Sequence, residues 1–322
     1  MRHSVSIVIP TLNRRDFLRD AVTSCRSQSF PSELYEIIIV DNGSTDGTKE
    51  MIDQLNCDGH KTVRYLLEQR RGLHWARHAG ARVAAGHILA YIDDDCLVEP
   101  NWLEELHRAY AALNADAAGG KILIRWDRQP EPWVIQYEPT LGRLDLGPEM
   151  MILKPSQYIN GGNFSILRSR LFEIGGFNPD QVDDHLIGDG ETGLCEKIHK
   201  AKWRMVWVPS ALAWHRQSVD RNATVRDLRR RFANNGVVSA YATYKRDPKG
   251  VFRLMHLGAG SLWRVATNEL RRSAYCITRN RDACRHCGFL RAHYVARAAC
   301  YYRLTWNSRF RQMVLRDDWI ND

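Results

Sequence analysis

The feature that most constrains the fold is His87-Ile88-Leu89-Ala90-Tyr91-Ile92-Asp93-Asp94-Asp95-Cys96, in which an unbroken apolar run drives into three consecutive carboxylates. Such a run predicts a strand buried on both faces, hence central in a parallel sheet. Three adjacent acids have no place inside that sheet, because burying an isolated carboxylate carries a large desolvation cost. They belong at the strand's C-terminal exit, the edge where open α/β sheets hold ligands. Their mutual repulsion falls when a divalent cation and phosphates bind there. The plainer alternative is a solvated acidic turn ahead of a helix opening at Glu99-Pro100-Asn101.

The flanking sequence repeats the pattern. Val5-Ser6-Ile7-Val8-Ile9-Pro10 and Glu36-Ile37-Ile38-Ile39-Val40 read as buried strands, and Val63 through Leu67 as a third. Helical spacing appears in Phe17, Leu18, Ala21, Val22 and Cys25, then over 48–55, 74–85 and 101–113. Strand and helix alternate through the first ~120 residues, as in a doubly wound parallel sheet. Right-handed crossovers then bring the strand exits to one edge, lining a single crevice with Thr11, Asp41 and Asp93 to Asp95. A further strand is expected over 117–124. The stretch 125–156, with Trp126, Trp133, Tyr137 and several prolines, lacks periodicity and reads either as a lid or acceptor-shaping loop or, equally, as a packed surface excursion. Gly161-Gly162 permits close backbone approach, and Gly188-Asp189-Gly190-Glu191 opens a helix running to about Lys200.

Composition narrows the class. The 322 residues carry 44% hydrophobic and 26% charged side chains, ordinary globular usage. No apolar run approaches the ~18 residues needed to cross a bilayer, and eight scattered cysteines suit a reducing compartment. A cytosolic chain is therefore expected. The net charge of +9 favours anionic partners, and much of it lies beyond residue 220. There Arg226, Arg229, Arg230 and Arg231 cluster, and arginines alternate with Trp263, Tyr275, Tyr294, Tyr302 and Trp306 along helical segments. This suits a peripheral contact at the inner face of a membrane, or a docking face, rather than specific nucleic-acid recognition, and a solvated bundle face is the commoner alternative. Cys284-Arg285-His286-Cys287, with Cys276 and His293 nearby, is a weak zinc signal without a second spaced pair.

The ordered set of motifs resembles the family 2 glycosyltransferases of the GT-A fold. It runs from Val8-Ile9-Pro10-Thr11-Leu12-Asn13-Arg14 through Val40-Asp41-Asn42-Gly43-Ser44-Thr45-Asp46, Gly72 to Arg77 and Ile92-Asp93-Asp94-Asp95. It continues with Gly161-Gly162-Asn163-Phe164, Gly175-Gly176-Phe177, the Glu191 turn, Val208-Pro209 and Trp214-His215. The resemblance covers about residues 4 to 216. It implies a Rossmann-like, mostly parallel sheet flanked by helices over 1–220 and a helical extension over 221–322.

It further implies transfer of a sugar from a nucleotide-diphosphate donor, most often a UDP-sugar, to an acceptor hydroxyl with inversion. Thr11, Asn13, Arg14 and Asp41 are then expected to hold base and ribose, and Asp93 and Asp94 the ribose and sugar. Arg71 and Arg77 would add charge near the phosphates. Asp95 and His215 are the expected ligands of Mg²⁺ or Mn²⁺, and Gly162, Asn163 and Trp133 the expected acceptor contacts. Glu191 is the expected general base, with Asp189 its rival, since the family commonly shows Glu-Asp where this chain has Asp189-Gly190-Glu191. His78 stands where relatives often carry asparagine. The acceptor class, whether glycan, lipid-linked sugar, small molecule or peptide, stays open. The competing readings are a nucleotidyltransferase acting on a sugar phosphate and an inactive nucleotide-sugar binder. The first usually carries a glycine-rich stretch with a downstream lysine near its start, which residues 10–16 lack. The second has no need of Glu191.

Overall fold

Alternation along the first two apolar runs sends side chains to both faces of one sheet, so neither run can sit at a wet edge. Strands β1 (Val5–Thr11) and β2 (Tyr35–Asp41) are buried at every position. The computed structural model describes residues 4–57, 63–182, 185–186, 188–248 and 250–321. After β1 and around β2 come α1 (Arg15–Arg26), α2 (Thr48–Asn56), β3 (Val63–Leu67) and α3 (Leu73–Val83). Next follow β4 (Ile88–Ile92), β5 (Cys96–Val98), α4 (Trp102–Leu113), β6 (Ala117–Trp126), α5 (Pro132–Ile135) and β7 (Met151–Ile152). Then come β8 (Asn163–Leu167), α6 (Arg168–Glu173), β9 (Gln181–Val182), β10 (His185–Leu186), α7 (Gly190–Lys200) and β11 (Met205–Gln217). The chain closes with α8 (Val219–Asn222), α9 (Val225–Arg246), α10 (Val251–Ile277), α11 (Arg281–Trp306) and α12 (Ser308–Leu315).

The main sheet runs β3-β2-β1-β4-β8-β6-β11-β5, with β7 beside β11. Its first half is parallel, Val5 to Thr11 pairing with Tyr35 to Asp41 and Val5 to Val8 with Ile88 to Tyr91. Strand β8 then inserts antiparallel between β4 and β6, while β6 and β11 are parallel. The sheet is thus mixed, with its parallel half carrying the acidic exit. Ile7, Ile9, Ile37 and Ile39 pack toward α1, α2 and α4, burying Leu18, Val22, Ile52 and Trp102. Val8, Ile38, Val40 and Leu89 face α3 and α7, burying Ala76, Ala79, Leu194 and Ile198. Every one of these strands is covered twice, which is why their sequences carry no polar alternation.

Two departures matter for function. Stretch 125–156 is a joint: Val134, Tyr137 and Leu141 bury against Leu228 of α9 and Phe289 of α11. These partners lie more than 80 residues away in the chain, so no local pattern in the sequence signals that the stretch packs against them. Helices α9 to α12 also form a core of their own around Tyr241, Leu254, Tyr301 and Phe310. From there the chain returns to the sheet, where Trp319 packs edge-on against Trp75 and Ile320 enters the α3-side core. Among the described residues no helix is long and apolar enough to cross a membrane.

Candidate active site

A cleft of about 560 Å³ opens at the C-terminal ends of β1 and β4. Thr11, Arg14, Asn42, Arg71, Asp93, Asp94, Asp95, Asp180, His215 and Arg231 contribute to its wall. The parallel register that sets Thr11 beside Asp41 and Val8 beside Tyr91 places these exits at one edge.

The three aspartates face different partners. Asp94 Oδ2 accepts from Thr11 Oγ1 at 2.8 Å, and its Oδ1 accepts from Arg14 at 3.2 Å. Burial and the neighbouring Asp95 push its pKa up to about 7 against the pull of Arg14. Asp95 accepts from Arg14 on one oxygen and faces His215 Nε2 at 3.2 Å on the other. Burial opposes its charge, yet His215 and Arg14 hold it well below the usual carboxylate range. One acid of the run is thus kept firmly anionic while its neighbour is not, a separation that adjacent carboxylates in a single dry crevice require.

Asp93 is held from behind. The Arg77 guanidinium, on α3, is buried and donates to Asp93 Oδ1 at 2.8 Å. Its other nitrogen lies 3.3 Å from His74 Nε2 and 3.9 Å from Glu191 Oε2. His74 Nδ1 reaches Asp180 Oδ1 at 3.0 Å, and its Nε2 lies 3.7 Å from Glu191. Residues 74 and 77 share one face of α3 by helical spacing. Burial disfavours charge on His74, but Asp180 and Glu191 raise its pKa above the ordinary imidazole value. Burial likewise works against Glu191, and His74 and Arg77 outweigh it, lowering the carboxyl to about 2. A Cβ on Gly161 would stand 2.5 Å from Arg77 Nη1, so a side chain there would dislodge the guanidinium. Gly142, at φ +104°, likewise makes room for the His215 ring, 2.8 Å from where a Cβ would sit.

The glycosyl transferase family 2 profile matches residues 6–175, more than half of the chain. The chain belongs to glycosyl transferase family 2.

Similar curated proteins include the glycosyltransferase AglE of Haloferax volcanii, 34% identical over 119 residues, 37% of this chain and 39% of that one. A glucosyl-dolichyl phosphate glucuronosyltransferase of the same organism is 28% identical over 208 residues, 62% of this chain and 64% of that one. The chain therefore spans under two thirds of either relative's length. Among solved structures, the mannosyltransferase PcManGT of Pyrobaculum calidifontis, in complex with GDP-Man and Mn²⁺, superposes with TM-score 0.61 at 19% identity. That match covers 96% of this chain and 88% of the other. GalNAc-T7, with UDP, GalNAc and Mn²⁺, gives TM-score 0.54 at 22% identity over 67% of this chain and 43% of that one. The GT-A fold is shared with both.

In this family 2 chain the expected site residues divide. Thr11, Arg14, Arg71, Asp93, Asp94, Asp95 and His215 all reach the cleft. Arg77 and Glu191 stand behind Asp93, and Gly162 lies against it, a Cβ there falling 3.0 Å from Asp93 Oδ2. Others do not contribute to the cleft wall. Asp41 accepts from the backbone of Gly43 and Ser44 and from Tyr65 Oη, so its carboxylate builds the turn that presents Asn42. Asn13 Oδ1 accepts from Thr45 N at 2.7 Å, tying two strand exits together. Asn163 is fully buried, accepting from Trp102 Nε1 and donating to the carbonyls of Lys121 and Ala211. Trp133 stacks on Phe289 beneath Arg285, in the joint with the C-terminal helices. Asp189 is buried against Asn178 Nδ2 at 2.7 Å and does not contribute to the cleft wall. His78 accepts from Phe177 N in the core, and burial keeps its pKa well below the ordinary value.

His74, Asp180 and Arg231 were missed. His74 sits in a recognised motif at i−3 from Arg77, a spacing that pointed to it. Asp180 gave no local signal and Arg231 stood out only as part of the basic cluster at 226–231, since each meets the cleft through the tertiary fold. Among the described residues the only group of three His, Cys, Asp or Glu close enough to share a metal is Asp95, Cys96 and His215. The stretch with Cys276, Cys284, His286 and Cys287 forms no such group.

Proposed function

We propose that this chain transfers a sugar from a nucleoside-diphosphate donor to an acceptor hydroxyl with inversion, assisted by a divalent cation. The observation that carries the reading is the division of labour around Asp93: a cation-seeking Asp95 and His215 on one side, and a Glu191 carboxylate on the other. The named relatives, one acting on a dolichyl phosphate-linked sugar, and the fold neighbours solved with GDP-Man or UDP and Mn²⁺ support the same chemistry.

The donor set fits Mg²⁺ or Mn²⁺. Asp95, His215 and Cys96 offer ligand atoms within 4.8 Å of one another. Burial and the three aspartates hold the Cys96 thiol well above its ordinary pKa, leaving oxygen and imidazole nitrogen as donors. Gln217 Nε2 and Asp95 Oδ1 both approach His215 Nε2, at 2.8 and 3.2 Å, which sets that ring nitrogen at the carboxylate edge of the cleft. When bound there, the cation would neutralise the leaving diphosphate.

The protein's own residues do the rest. Arg14, Arg71 and Arg231 bring positive charge to the cleft where the phosphates would lie. Arg77 fixes Asp93 toward the donor sugar. Glu191 is ionised throughout the physiological range, and while Oε2 faces His74 and Arg77 at 3.7 and 3.9 Å the side chain keeps 29% exposure. It is thus free to take the acceptor proton as attack proceeds. The acceptor class is proposed as a sugar hydroxyl, lipid-linked acceptors included.

Glu191→Gln tests the assignment, because it removes a proton acceptor with little change of shape. Donor binding should persist within a factor of about 3, while single-turnover transfer falls by about 10² to 10⁴. Transfer at the wild-type rate would remove Glu191 from the role of base.

A further inference from the structure

Helix α10 is apolar on the wrong side for a soluble bundle. Its inward face buries Leu254, Ser261 and Asn268, and the two polar side chains satisfy themselves on the helix's own carbonyls at Leu257 and Arg264. Its outward face carries Phe252, Met255, Leu262, Trp263, Leu270 and Ile277, each about half exposed or more and reaching 89% at Phe252. At 100° per residue these six fall within an arc of about 100°, opposite the buried face, and from Phe252 to Ile277 they extend about 38 Å. A continuous apolar stripe of this length is far beyond the scattered exposure of an ordinary surface.

The charge beside the stripe selects what covers it. Arg253, Arg264 and Arg271 lie at about 100–120° on the same projection, forming a basic flank. Arg253 and Arg271 are exposed, and Arg264 leans on Tyr294. Residues 221–322 hold 21 Arg and Lys against 7 Asp and Glu, so this region carries more than the whole positive excess of the chain. A second copy meeting the same face would set like charges together. An anionic leaflet meets both requirements, with acyl chains for the stripe and head groups for the flank.

We propose that α10 lies in the plane of an anionic lipid surface, burying its outward stripe and setting Arg253, Arg264 and Arg271 among the head groups. This assignment is independent of glycosyl transfer, because binding is read without turnover.

The test is flotation of the full chain with phosphatidylcholine vesicles, with and without phosphatidylglycerol. The wild type should float with the anionic vesicles, weakly with the neutral ones, and dissociate as salt rises. Joint Leu262→Ser, Trp263→Ser and Leu270→Ser substitution should weaken that binding about tenfold or more. Arg253→Gln with Arg271→Gln should weaken it less and flatten the salt dependence. Because the substituted side chains are already exposed, the melting temperature should hold; should the triple variant melt early, Leu270→Glu alone replaces it. Wild type that stays free of anionic vesicles overturns the proposal, as does a triple variant that floats like wild type. A wild-type dimer that becomes monomeric in the triple variant, with no vesicle binding in either, would assign the stripe to contact between copies instead.

Discussion

Arg77 and Asp93 form an ion pair, 2.8 Å between Nη2 and Oδ1, that joins the cleft wall to a guanidinium with no solvent access of its own. Through it the acid run of β4 is coupled to the partly exposed Glu191 and the buried His74.

Removing the guanidinium leaves Asp93 and Glu191 without their shared counter-ion. Breaking a fully buried pair costs about 3–5 kcal/mol. Asp93 and Glu191 each keep 29% exposure, so solvent recovers part of that, and Arg77→Met should destabilise by about 2–3 kcal/mol in urea melts. A change below 0.5 kcal/mol, roughly the surface-substitution level, would show the pair to be incidental.

The His74 cluster gives stability a definite pH signature. His74 binds its proton more tightly folded than unfolded, so its contribution is complete below the unfolded value of about 6.5 and fades as pH rises through the folded one. Glu191 and Asp180, both lowered to about 2, contribute above the unfolded carboxylate range of about 4 and lose that as pH falls toward 2. Thermal melts should therefore show a decline on the alkaline side of pH 6.5 that His74→Gln removes. Parallel curves for wild type and variant across pH 6 to 9 would refute the assignment.

Arg231 reaches the cleft from α9 with its buried Nε lacking a hydrogen-bond partner, and burial beside Arg230 lowers its pKa. A buried cation in that state contributes little to folding and is poised for an anion. Arg231→Ala should leave the melting temperature unchanged or higher while weakening nucleoside-diphosphate binding by about tenfold, the lower end for a charge-assisted hydrogen bond. Calorimetric titration that gives wild-type affinity would place the phosphates elsewhere.

Asn163 separates packing from recognition. Its amide oxygen and nitrogen bond Trp102, Lys121 and Ala211 in the core, so Asn163→Leu should cost about 2–3 kcal/mol by orphaning those partners. The variant that still folds should keep its acceptor KM. A KM that rises at unchanged stability would restore the acceptor contact expected from the motif.

The parallel half of the fold was legible because its strands are buried on both faces, leaving Ile7 to Ile9 and Ile37 to Val40 without a polar interruption. The exit acids followed from the same reasoning, since Asp93 to Asp95 had nowhere else to go. Strand β8 gave no warning of its antiparallel insertion: periodicity fixes a strand, and direction depends on how the chain returns. Asp41, Asn13 and Asn163 were assigned to ligands, yet each closes backbone or side-chain hydrogen bonds that only the tertiary fold brings near. Asp180 was invisible for the converse reason, an ordinary surface residue by sequence and a cleft residue by position, and Arg231 was read only as part of a basic cluster. Trp133 looked like part of a loop over the site because its partner Phe289 lies in a helix from the far end of the chain.

The central claim is that the Asp95 and His215 edge of the cleft binds a nucleoside diphosphate through a divalent cation. It is tested most directly by the thermal shift given by UDP or GDP, with and without Mn²⁺, in wild type and in Asp95→Asn. The wild type should be stabilised by the nucleotide and Mn²⁺ together well beyond either alone, and Asp95→Asn should lose that added increment. An Asp95→Asn variant that keeps the full Mn²⁺-dependent shift would contradict the account.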